Sequence, residues 1–267
     1  MQGDGIRIEN SPAGSRPRVV EYRFGNKDHT DAAAYDTVRF IGRANEYRQA
    51  VMTNAYRKLI GPLQGKRLLD VGCGTGRGVV DFAREAEYAV GCDASLDMLN
   101  IASRKRTPNS RCALLASHAQ QLPFKEASFD IVTSLNFLHL FDVETQRACV
   151  AEMKRVLIPG GILVLEFTNA LNGLVIGLFR RWIGGVLTSL PGEIRRVVGE
   201  DCQVVRLYGA PFPMLWRLFC RLPRAVRSVE RLGYVAPFNR LCHQVYYQIS
   251  IPAPHASAGT PPLILPT

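Results

Sequence analysis

Asp70, Gly72, Gly74, Gly76 and Asp93 are the residues whose types and spacing point most directly to chemistry. The three glycines alternate in LLDVGCGTGRG, residues 68–78, right after an apolar run that carries Asp70. Glycine takes positive φ without a Cβ clash and lets a ligand approach the backbone. A strand, a Gly-rich turn and a helix in that order aim free helix N–H groups at whatever lies above the turn. Leu68, Leu69 and Val71 supply the strand, and Val79, Val80, Phe82 and Ala83 supply an apolar helix face.

The spacing separates classes of nucleotide ligand. The dinucleotide pattern G-x-G-x-x-G would place its third glycine at position 77, which is Arg77. An acid before the first glycine repels a pyrophosphate but accepts a hydrogen bond from an ammonium. S-adenosylmethionine (SAM) carries an α-ammonium and no phosphate, so the loop suits SAM better than NAD. The plain alternative is a tight strand–helix turn that binds nothing.

The elements around the loop alternate. RLLDV, YAVGC, CALLAS, FDIVTSL and GILVLEF read as strands, separated by helices over 77–86, 95–105 and 142–157 and by the segment HAQQLPFKEAS. That order predicts an α/β fold: a doubly wound, mostly parallel sheet with helices on both faces. QVVRLY and HQVYYQI read as two last strands, making seven. Apolar residues at helical spacing over 32–60 predict a helical lid, and the looser stretch within 169–240 predicts a helical cap after the fifth strand. Residues 1–30 read as a flexible arm, 31–251 as one domain, and 252–267, with five prolines, as a disordered tail.

Composition narrows the class. A chain of 267 residues has ample material for one core. Seven cysteines, none in a C-x-x-C pair, argue for reduced thiols in a cytoplasm and against a disulfide frame or a zinc site. Cys73 reads as a small loop residue. The N-terminus lacks the apolar region of a secretory signal. The uncharged apolar stretch Phe167–Phe179 is too short to span a bilayer. The net charge of +10 is concentrated late: eleven arginines and four acids lie between Arg180 and Arg240, and Lys154 is the last lysine. Such a region suits an anionic membrane surface, an acidic substrate or nucleic acid, or else it is compositional bias.

Taken together, LLDVGCGTGRG, GCDAS, SFDIVTSLNFLHL and LIPGGILVLEF resemble the class I SAM-dependent methyltransferases, most of all the ubiquinone/menaquinone-type group, over about residues 35–168. The resemblance implies that Asp70, Gly72, Gly74 and Gly76 surround the methionine end of SAM. It implies that Asp93 holds the ribose, that Ala94 and Met98 flank the adenine, and that Asn136 and Phe137 line the cleft. His118 and Ala119 fall where the family usually shows an acid that accepts from the adenine amino group. His118 replaces that acid, and a neutral imidazole nitrogen can accept. YDTVRFIGRANEYR resembles the group's lid helix, which makes Tyr35, Arg39 and Arg43 candidates to cover the cofactor or hold its carboxylate.

For the acceptor side, His139 is the best candidate base, since it follows the fourth strand and an imidazole titrates near neutrality. Glu166, ending the fifth strand, is a weaker one. The apolar and aromatic content of 171–190 and 211–226, with Trp182, Phe212 and Trp216, favours an apolar or amphipathic acceptor. The expected activity is O- or N-methylation of a small or lipid-like molecule. Two alternatives stand beside it: an RNA methyltransferase using the arginine-rich part, and a non-catalytic SAM-binding protein. Against the first, the chain has no RNA-binding signature.

Overall fold

A computed structural model describes residues 35–36, 43–108, 110–168, 194–210, 234–235 and 244–252. The expected arm at 1–30, Arg39, the tail from 253 and most of the expected cap, with Trp182, Phe212 and Trp216, lie outside them.

The chain enters through helix α1 (Arg43–Ile60), the C-terminal part of the expected lid. Met52, Ala55, Tyr56, Leu59 and Ile60 recur at helical spacing and are all buried. The helix ends at Gly61, whose φ of 77° is left-handed and whose N–H returns to the Arg57 carbonyl. Then come β1 (Arg67–Val71), α2 (Arg77–Phe82), β2 (Tyr88–Asp93), α3 (Leu96–Lys105), β3 (Cys112–Ala116), β4 (Phe129–Ser134) and α4 (Val143–Val156). They are followed by β5 (Leu157–Thr168), α5 (Ile194–Val198), β6 (Gln203–Ala210) and β7 (Gln244–Ser250). α2 is shorter than expected, because the chain tightens into turns after Phe82.

The seven strands form one sheet in the order β3-β2-β1-β4-β5-β7-β6. The first five are parallel, while β7 runs antiparallel to both β5 and β6. Strand order reverses between β1 and β4, which opens a crevice at their carboxyl ends. The antiparallel β7 brings its own start, Gln244, to the same edge, opposite Thr168.

Side-chain alternation divides the core between the two faces. Leu68, Ala89, Ile131, Val164 and Tyr246 pack under α1 and α2, while Leu69, Val90, Val132, Leu163 and Tyr247 pack under α4 and α5. α4 starts at Asp142, whose carboxylate accepts from the Thr145 N–H at 2.7 Å, and carries Lys154 and Arg155 in its last turn.

One boundary differs from the sequence reading. IPGG does not precede the fifth strand but lies inside it. Leu157 pairs with Phe129 and Ile162 pairs with Ile131, so β5 advances five residues while β4 advances two. The extra residues bulge out, with Gly160 at a φ of 76° donating its N–H to the Ile251 carbonyl.

Met153 is fully buried between α4 and the sheet. Met153→Ala should lower stability by about 2–5 kcal/mol, measured as a shift in urea midpoint at unchanged slope.

Candidate active site

The crevice is built around the turn between β1 and α2. Gly72, Gly74 and Gly76 have φ values of 72°, 52° and 73°, all left-handed. The first and second need glycine for different reasons. A Cβ on Gly72 would sit 2.2 Å from the Phe137 ring, whereas a Cβ on Gly74 would have no neighbour within 4 Å among the described residues and is opposed by its left-handed backbone angle. Gly74 is where the backbone lies open to a ligand.

Asp93 holds this loop in place. One carboxylate oxygen accepts from the Gly74 N–H at 2.8 Å and the other from the Ser95 N–H at 2.9 Å. Its carbonyl accepts from Ser117 N–H, which ties the end of β3 to the same point. Burial raises the Asp93 pKa, against the pull of the Ser95, Gly74 and Ala94 N–H groups. Two N–H donors use part of a carboxylate's capacity of about four hydrogen bonds. The remainder suits a pair of ribose hydroxyls.

Asp70 lies beneath the loop, 4 % exposed, and accepts from Thr133 Oγ1 at 2.7 Å. Burial pushes its carboxyl up to about 7; the Thr133 hydrogen bond opposes this and the charge of Asp93 adds to it. Cys73 packs its thiol over Gly91. Burial first, then the charges of Asp70 and Asp93, raise its pKa, so it remains a packed, protonated thiol. The five described cysteines, Cys73, Cys92, Cys112, Cys149 and Cys202, are all free.

The remaining predicted residues divide by exposure. Ala94 and His118 are exposed at the ends of β2 and β3. Met98 is 5 % exposed on the packed face of α3, where its N–H caps onto Ser95 Oγ at 3.3 Å, and Ala119 belongs to the core. Asn136 is exposed at the rim. Arg43 opens α1. His139 is 7 % exposed, in a single 3₁₀ turn over Leu138–Leu140 whose flanking carbonyls, Leu138 and Phe141, accept from the buried Gln146.

Two clusters escaped the sequence reading. Asp36 accepts from Thr75 Oγ1 at 2.8 Å, pairs with Lys105, and lies 3.9 Å from Arg77, while Lys105 also donates to the Thr75 carbonyl at 2.8 Å. This pins the segment before α1 onto the glycine loop. The adjacent Tyr35 was the only signal. The second cluster centres on Glu166, which is 1 % exposed and bonded to Asn136 and Gln244. No spacing in the sequence links positions 136, 166 and 244.

A methyltransferase domain model matches residues 69–165, the stretch from the glycine loop to the end of β5. The chain is 32 % identical over 180 residues to the demethylmenaquinone methyltransferase of Mycolicibacterium paratuberculosis, across 66 % of this chain and 72 % of that one. It is 33 % identical over 170 residues to the enzyme of the same name from Mycobacterium tuberculosis H37Rv, spanning 66 % of that relative's length, just under two thirds. Among solved structures, magnesium protoporphyrin IX methyltransferase from Synechocystis PCC 6803, with S-adenosylhomocysteine bound, superposes with a TM-score of 0.59 at 17 % identity, covering 81 % of this chain and 92 % of that one. The N-methyltransferase NodS from Bradyrhizobium japonicum gives 0.55 at 16 % identity, covering 78 % and 98 %. At these identities the two structures speak for the fold. The chain belongs to the class I SAM-dependent methyltransferases, enzymes whose cofactor is SAM.

The raised pKa of Asp70 has a consequence for stability. Relative to an unfolded carboxyl near pH 4, the folded group holds its proton up to about 7. Its contribution is full below about pH 4 and is lost as the pH rises through about 7. In thermal melts without SAM between pH 5 and 8, the melting temperature should fall with rising pH more steeply in the wild type than in Asp70→Asn.

Proposed function

We propose that the protein transfers the methyl group of SAM to a small, lipid-like acceptor with an aromatic ring of the quinone type. The observation that carries this reading is the match, above 30 % identity over 170 to 180 residues, to demethylmenaquinone methyltransferases. The apolar, aromatic content of 171–190 and 211–226 supports the same acceptor class. On this reading those segments form the acceptor's cap within a single domain over 31–251, and their arginines meet an anionic membrane surface from the cytoplasmic side. Among the described residues no helix is long and apolar enough to cross a membrane.

SAM supplies a methyl group on a positively charged sulfur, already a good leaving group. The chain therefore has mainly to bind, align and exclude water. We assign the backbone of Gly72, Gly74 and Gly76 to the methionine end, with Asp70 beneath it, and Asp93 to the ribose. Ala94 and Met98 flank the adenine, His118 and Ala119 line its edge, and Asn136 lines the cleft beside the methyl group. Arg39 and Arg43 belong to the lid over the cofactor. His139, buried at the 3₁₀ turn after β4, is the candidate base. The receiving atom is then a phenolic oxygen, or a ring carbon made nucleophilic by one.

Two measurements test this. Incubating the full chain with methyl-labelled SAM and reduced, short-chain demethylmenaquinone should give labelled methylated product by mass spectrometry. Labelling of bulk RNA with no labelled quinone would overturn the acceptor class. Calorimetry of Asp93→Asn should show SAM binding weakened by about 1–3 kcal/mol, with NAD binding undetectable in both proteins. Unchanged SAM affinity in the folded variant would remove Asp93 from the ribose.

A further inference from the structure

The cofactor reading leaves unexplained a polar cluster where β4, β5 and β7 meet. Glu166 Oε2 accepts from the backbone N–H of Asn136 at 2.9 Å, and Glu166 Oε1 accepts from Gln244 Nε2 at 2.6 Å. A carboxylate only accepts, so the Gln244 atom facing it is the NH₂ group. The same Nε2 lies 3.3 Å from Asn136 Oδ1, and the Gln244 carbonyl accepts from the Tyr246 hydroxyl at 3.4 Å. Tyr56, reaching in from α1, places its hydroxyl 3.2 Å from that of Tyr246 and 3.5 Å from Glu166. Glu166, Tyr56 and Tyr246 are all buried, so the network sits in low dielectric and has one consistent polarity.

That polarity has an outlet. With Gln244 oriented by Glu166 and Tyr246, the Asn136 side chain must turn its carbonyl toward Gln244, which leaves its two N–H donors on the far side. Asn136 itself is exposed at the rim, with a left-handed φ of 55° that Asn tolerates better than most residues. The Glu166 carboxylate holds the backbone N–H of this unusual residue. The position also matters. Gly72, Gly74 and Asp93 occupy the β1–β2 side of the crevice, whereas the Asn136 side chain bonds toward β7, past β5, on the other side.

Resting on the methyl-acceptor reading above, we propose that the Asn136 amide donates to a ring oxygen of the acceptor, a phenolate or enolate, and that Gln244 and Glu166 are the positioning residues that present those donors outward. Preorganised donors aimed at a charged oxygen are effective because they need no reorientation when the charge forms. Phe137, the next residue, packs edge-on against Phe141 with centroids 4.9 Å apart and offers an aromatic wall beside the donors.

The test reads ionisation of a bound phenol, separately from turnover. The full chain loaded with S-adenosylhomocysteine is titrated with 1-naphthol, and ionisation of the bound naphthol is followed by absorbance across pH. In the wild type the bound naphthol should ionise about one pH unit below free naphthol. Asn136→Gly, which suits the left-handed backbone, and Asn136→Asp, which replaces donors by acceptors, should abolish the shift, and Gln244→Ala should reduce it. SAM affinity should stay within about threefold in Gln244→Ala. An absent shift in the wild type, a shift that survives Asn136→Gly, or a Gln244→Ala protein that loses SAM binding in step with the shift would each overturn the proposal. Wild-type turnover of reduced demethylmenaquinone is the separate arm. A shifted naphthol with an unmethylated quinol defeats the quinone reading and leaves the oxygen site standing. A methylated quinol with an unshifted naphthol defeats the oxygen site alone.

Discussion

The cofactor half of this structure depends on one carboxylate that never leaves its strand. Asp93 ends β2 and accepts from two N–H groups, Gly74 in the glycine loop and Ser95 at the start of α3. Without an acceptor there, two backbone donors at a crowded strand end would lose their partner, and the left-handed path through Gly72, Gly74 and Gly76 would lose its anchor. The same carboxylate faces the crevice. On the proposed assignment, the carboxylate that shapes the loop is also the one that a ribose would meet.

A second buried carboxylate organises the opposite side. Glu166 lies two residues before the end of β5, and it too accepts from the backbone beyond a neighbouring strand, here Asn136. The two acids lie on either side of the reversal in strand order, where a doubly wound sheet opens. Between them Asp70 sits under the loop, its proton held by burial. Buried acids destabilise a fold unless they are hydrogen-bonded. All three here are hydrogen-bonded, and they stand toward the carboxyl ends of strands in one sheet.

The segment before α1 adds a third constraint. Asp36 engages Thr75 and Lys105 and lies near Arg77, so the chain N-terminal to the lid helix is pinned to the turn that follows the third glycine. Tyr56, within α1, enters the Glu166 network. Asp36 and α1 thus touch the two sides of the crevice.

Sequence alone determined the alternating elements, the parallel core of the sheet, the glycine loop and the acid at the end of β2. Each of these is local: a period of two or 3.6, a run of glycines, an acid at a fixed offset. It also excluded a dinucleotide loop, through Arg77. What it did not determine were relations across long separations. The bulge that draws IPGG into β5 depends on pairing with Phe129 and Ile131 and on a hydrogen bond to Ile251. The burial of His139 depends on α4 and the core beneath it. Glu166 read as an isolated strand-end acid until the antiparallel β7 brought Gln244 beside it, 78 positions away in sequence. Asn136 read as a cleft residue until that pairing set which way its amide faces. A hydrogen-bond partner 30 to 110 positions distant leaves no periodic trace, because only the tertiary register decides which strand ends meet.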